Sequence, residues 1–93
     1  MSIVRHESAG ILSKAVEHGG LVHLAGIVAD DLSQDAKGQA QQILAAIDAL
    51  LAKCGSNKSK VLSAVIWVSD IRYRAPMNEA WSAWTDAKNL PAR

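Results

Sequence analysis

The sequence offers little to cross-link, little net charge and no long apolar run. Its single cysteine, Cys54, excludes an internal disulfide and fits a reducing compartment, so a cytoplasmic location is expected. Ten Lys and Arg against nine Asp and Glu leave a formal charge of +1, which argues against a nucleic-acid binder that works by neutralising phosphates. The basic residues that lie close in sequence (Lys53, Lys58, Lys60; Arg72, Arg74) are interleaved with Asp48, Asp70 and Glu79. No stretch approaches the ~18 apolar residues of a membrane span. Arg5, His6, Glu7 and Ser8 stand where a secretory signal needs an apolar core. The histidines His6, His18 and His23 contain no i, i+4 pair and Cys54 has no second cysteine, so no metal site is expected. Ser13 has no recognisable His and Asp partners for a hydrolase triad.

What is present reads as one α+β domain. Hydrophobic residues make up 49% of the 93 positions and charged residues 20%, a globular composition without repeats or linkers. Residues 2–6 read as a short extended piece and Ile11 to His18 as a second strand. That strand closes at Gly19-Gly20, a pair suited to the positive φ of a tight hairpin. Leu21 to Val28 is apolar at almost every position, the pattern of a strand covered on both faces. Ser33 is placed to cap a helix with Asp35 in its first turn, near the positive end of the helix dipole. Ala40, Ile43, Leu44, Ile47, Leu50, Leu51 and Cys54 then recur at spacings of three and four, with Gly55 positioned as a C-terminal cap.

Residues 61–69, Val-Leu-Ser-Ala-Val-Ile-Trp-Val-Ser, are β-branched and aromatic and predict a strand. One face would carry Leu62, Ala64, Ile66 and Val68, the other Val65 and Trp67. A single helical layer covers one face only, so the second calls for another protomer. A second helix is expected to begin near Pro76, with Met77, Ala80, Trp81 and Trp84 on its buried stripe. Cys54 reads as a small buried hydrophobe and the tryptophans as packing groups, not as nucleophile or base-stacking platforms.

His18-Gly19-Gly20-Leu21-Val22-His23-Leu24-Ala25-Gly26 resembles the second hairpin of the RidA (YjgF) family. Lys53-Cys54-Gly55 at the helix end, Val65-Ile66-Trp67-Val68-Ser69-Asp70-Ile71, Met77-Asn78-Glu79-Ala80-Trp81 and the final Pro91-Ala92-Arg93 agree with it in order. The resemblance covers essentially the whole chain. It implies a chorismate-mutase-like domain, a mixed sheet with two helices on one face, assembled as a homotrimer whose sheets form a central barrel. It also implies hydrolysis of reactive 2-imino and enamine acids to 2-oxo acids and ammonia in a cleft between protomers. Arg93 would hold the substrate carboxylate, with Asn78, Ala25 and Leu12 at the binding site and no metal or organic cofactor. Two positions depart from the family pattern: Leu12 stands where active deaminases carry a tyrosine, and Ala25 where they carry a serine. The family's last strands, with their acidic residue, lie beyond Arg93, so residues 1–93 read as a domain lacking them. The alternatives are a non-catalytic trimer that binds small carboxylates and a translation-inhibiting endoribonuclease relative.

Overall fold

The computed structural model describes residues 2–93. Its first half is built on two tight reversals. Gly10 (φ 60°) and Ile11 join β1 (Val4–Ala9) to β2 (Leu12–His18), and Gly19 and Gly20 (φ 60° and 78°) join β2 to β3 (Leu21–Leu24). Positive φ at both glycines gives the turn whose twist matches that of the strands it joins. The result is a three-stranded antiparallel sheet in the order β1-β2-β3, with His6 opposite Ala15 and Ala15 opposite Leu24. The first strand therefore runs further than the extended piece expected over 2–6. The third is shorter than 21–28: Ala25 N–H still donates to the Lys14 carbonyl at 3.0 Å, but the ladder stops there, before Gly26. Nor is the segment covered on both faces, since Leu21 and Val28 are exposed.

α1 (Ala36–Lys53) follows the stripe read from the sequence. Leu44, Leu50 and Leu51 are buried, and Ala40, Ile43 and Ile47 are half-buried. Its cap differs from expectation. Ser33 spends its hydroxyl and its N–H on Asp31, and the Asp35 carboxylate accepts the Gly38 N–H at 2.8 Å. The helix thus starts two residues closer to its apolar stripe, with Asp35 outside it as the cap. Asp35→Ala is expected to cost about 1 kcal/mol of stability and Asp35→Asn much less, as measured by urea unfolding. At the far end Gly55 (φ 72°) takes the left-handed conformation that stops a helix.

α1 lies across the sheet face that carries Ala15, whose side chain is 0% exposed and small enough to let the helix approach. α2 (Arg74–Trp84) starts after a 3-10 turn at Ile71–Tyr73 and buries Met77 and Ala80. It is fastened to α1 by the Trp84 indole N–H, which donates to Asp48 Oδ2 at 2.9 Å. The two helices do not both lie on the three strands: α2 packs on α1 and over residues 64–68.

The expected strand over 61–69 is reduced to one parallel bridge, Ser63 with Ala92, made by Ala64 N–H to the Ala92 carbonyl and Ala92 N–H to the Leu62 carbonyl, both 2.9 Å. β-propensity needs a partner to become a strand, and only residues 62–64 find one. The sheet is accordingly antiparallel, not mixed, with this bridge beside it. Trp67 is 89% exposed, and Leu62, Val65 and Ile71 are also open to solvent. With an extent of only 18 Å along its shortest axis, the molecule has room for a sheet and a helical layer and nothing beyond.

Candidate functional site

The parallel bridge holds Ala92, the residue before Arg93. Its guanidinium carbon stands 5.4 Å from the centre of the Trp81 ring, within cation–π range. Arg93 lines a recess of about 330 Å³ with Arg74 at the start of α2, floored by Ala64, Ile66, Val68 and Met77. Two guanidinium-bearing residues and no acidic one line this recess, and its remaining surface is aliphatic. Such a lining favours a small anion with an apolar tail, because Arg presents two parallel N–H donors to a carboxylate.

The approach to Arg93 is held by Asp86. Its carboxylate accepts the Lys88 N–H at 3.0 Å, the Asn89 side-chain amide at 2.8 Å and the Ser59 hydroxyl at 2.8 Å. These bonds, Asn89 first, then Lys88 and Ser59, hold the Asp86 carboxyl below its ordinary value of 3.8. A depressed carboxylate pKa contributes stability that is complete above the unfolded value and lost as pH falls through the folded one. The loop is therefore expected to stay ordered from neutral pH to about 4 and to loosen below, which the Lys88 amide signal in an NMR pH titration would report.

The other residues singled out in the sequence are not gathered here within one chain. Asn78 follows Met77 on α2 but does not line the recess; its Oδ1 is buried and has no hydrogen-bond partner among the described residues. Leu12 begins β2, and Ala25 sits opposite Lys14 just past β3. Strand alternation puts Leu12, Lys14 and Ala25 on the sheet face opposite to the one Ala15 turns to α1. That face does not contribute to the Arg93 recess of the same chain.

A second constellation was not visible in the sequence. The His6 Nε2 lies 2.6 Å from Glu17 Oε2, and the Cys54 Sγ joins them, the three atoms all falling within 4.8 Å of one another. Antiparallel register creates the first pair: His6 faces Ala15 and Val4 faces Glu17, so His6 and Glu17 are diagonal neighbours on the helix-covered face. Cys54 arrives from the end of α1, and the Lys53–Glu7 ion pair at 3.2 Å ties that end to β1 beside it. Partial burial raises the Cys54 thiol pKa, the Glu17 carboxylate raises it further, and Lys53 opposes. Cys54 is half-buried, less enclosed than the apolar stripe suggested. Knowing that the hairpin turns at Gly10-Ile11 would have revealed the His6–Glu17 pair; nothing local announces Cys54 as its neighbour.

A family profile described as Endoribonuclease L-PSP matches residues 2–93. The chain belongs to this family, the YjgF/RidA family. Among YjgF/RidA relatives, the chain is 42% identical to the RutC family protein YoaB of Escherichia coli K12 and 39% identical to a RutC family protein of Haemophilus influenzae. In both, the match takes in all of this chain and 81% of the relative. Its fold is similar to the crystal structure of a YjgF family member from Neisseria meningitidis, with a TM-score of 0.96 and 41% identity over 100% of this chain and 77% of that one. No helix is long and apolar enough to cross a membrane among the described residues.

Proposed function

We propose that this YjgF/RidA protein hydrolyses reactive 2-imino and enamine acids to 2-oxo acids and ammonia, in a cleft formed where protomers of a homotrimer meet. The observation that carries the reading is the recess at Arg93: aliphatic walls, Arg74 and Arg93, and no acidic residue. A 2-imino acid has the matching parts, a carboxylate next to the reacting C=N carbon and a short apolar side chain. With the carboxylate held by the Arg93 fork, water adds its oxygen to the C=N carbon and one proton to the nitrogen; the new hydroxyl then gives its proton to the same nitrogen as the C–N bond breaks, so ammonia leaves and the C=O of a 2-oxo acid remains. Fixing the carboxylate converts the attack into an oriented encounter, which is the main service the protein supplies.

The trimer is supported by surface that a single chain leaves uncovered: Leu62, Val65, Trp67 and Ile71 are all exposed along one segment. A neighbouring protomer that covers it would bring a sheet face carrying Leu12 and Ala25 toward Arg93. Neither side chain offers a hydroxyl, so the substrate is one whose polar groups are satisfied by the arginines and by water. That pair also gives weight to a second reading, a trimer that binds 2-oxo acids without turnover. The family description as an endoribonuclease receives no support from a net charge of +1.

The test uses 2-iminobutyrate or 2-iminopropionate generated freshly by a pyridoxal-phosphate dehydratase, with 2-oxo acid formation followed against time. Acceleration over buffer, lost in Arg93→Ala, is the expected result. A rate equal to buffer, with a 2-oxo acid still bound in calorimetry and released by the same substitution, would replace the enzyme with the binding protein.

A further inference from the structure

The geometry points to a second site, made of residues that do not line the Arg93 recess: His6, Glu17 and Cys54 form a three-donor site for a zinc-class divalent cation. One imidazole, one carboxylate and one thiol converge from three elements, β1, β2 and the end of α1, with their ligating atoms within 4.8 Å of one another. Around a tetrahedral ion with bonds of about 2.0 to 2.3 Å, such donors stand about 3.3 to 3.6 Å apart. Closing on an ion therefore asks the donor atoms to approach by at most about 1.5 Å, a distance on the scale of side-chain rotation. The His6–Glu17 hydrogen bond at 2.6 Å must open by several tenths of an ångström, as an ion taking the place of the shared proton requires.

The electrostatics favour a cation there. Glu17 and a Cys54 thiolate supply two negative charges, which a divalent ion neutralises. Cys54 also caps an 18-residue helix, whose C-terminal end carries partial negative charge. Lys53, the nearest lysine in sequence, is engaged by Glu7 at 3.2 Å, and that ion pair holds β1 and the helix end in the spacing the site needs. The donor types select the metal: thiolate and imidazole suit zinc, and the hard ions magnesium and calcium prefer all-oxygen sets.

Three protein donors leave a fourth position. Glu17 and Cys54 also line a recess of about 390 Å³, shared with His18, Ser56 and Lys60, so the fourth position opens toward it. A water, or a small anionic ligand drawn by Lys60, fills it. This is the open arrangement of exchangeable zinc sites, not the closed one of purely structural zinc. On binding, Sγ–H gives its proton to solvent, the proton that Nε2 shares with Glu17 moves to Nδ1, and Nε2, Sγ and a Glu17 oxygen donate to the metal, so that one proton is released in all.

The test uses the full chain with Zn²⁺ or Co²⁺ alone. Cobalt is expected to bind one ion per chain and to show a sulfur-to-cobalt charge-transfer band in the near ultraviolet, which Cys54→Ser abolishes. Zn²⁺ affinity should fall roughly 10²-fold in Cys54→Ser and at least tenfold in His6→Gln and Glu17→Gln, and stay unchanged in His23→Gln. Calorimetry in buffers of different ionisation enthalpy should show about one proton released per Zn²⁺ by the wild-type chain, a readout that needs no variant. Circular dichroism of the metal-free variants separates lost ligation from lost folding. Absence of the sulfur band in the wild type, no proton release, or equal Zn²⁺ affinity in a folded Cys54→Ser chain would each overturn the assignment.

Discussion

Leu51→Ala is expected to remove about 2–5 kcal/mol of unfolding free energy. Leu51 is 6% exposed on the stripe where α1 meets its neighbours, and truncation there loses both transfer energy and the contacts of a filled cavity. Domains of this size hold about 5–15 kcal/mol in total, so the substitution takes a large fraction of it. Leu12→Ala, at a side chain 47% exposed, provides the contrast and should change stability by well under half as much. Urea unfolding at several protein concentrations is the appropriate measurement, because association adds a concentration-dependent contribution to apparent stability. Equal losses from the two substitutions would mean that the buried stripe of α1 is not the principal core.

Arg93→Ala is expected to reduce kcat/KM for a 2-imino acid by a factor of roughly 10² or more. Two charge-assisted hydrogen bonds are at stake, each worth about 1.5–3 kcal/mol. Arg74, which also lines the recess, keeps the loss from being larger, since its charge still attracts an anion. Arg93→Lys tells charge from geometry: a point charge retains the attraction but not the planar fork, so binding should recover more than turnover does. If Arg93→Lys restores turnover in full, orientation by the fork is not how this recess works.

The parts of the fold that could be read from the sequence are those governed by neighbours in the chain. α1 announced itself through apolar residues at helical spacing, and its end through Gly55; the second hairpin announced itself through Gly19-Gly20. The cap was harder because Ser33 and Asp35 are both competent, and the choice depends on Asp31 taking the Ser33 hydroxyl. Residues 61–69 carry strand composition, but a strand exists only with a partner, and partnership is a property of distant residues. The same holds for the sites. Only a family likeness singles out Arg93, because a lone arginine has no spacing to interpret. The His6–Glu17–Cys54 cluster needed the hairpin register and the direction of α1 together, and neither is written at any one of the three positions.

The two hydrogen bonds between residues 62–64 and Ala92 span everything from the 3-10 turn through α2 to the Asp86 loop. The β1-β2-β3 meander closes over short separations and forms early, whereas this clasp must await the docking of a whole helix before its loop-closure entropy is recovered. The recess is thus expected to assemble after the meander and to open before it, so local opening would release Arg93 while the hairpins and α1 stay folded, as slower hydrogen exchange of their amides would show.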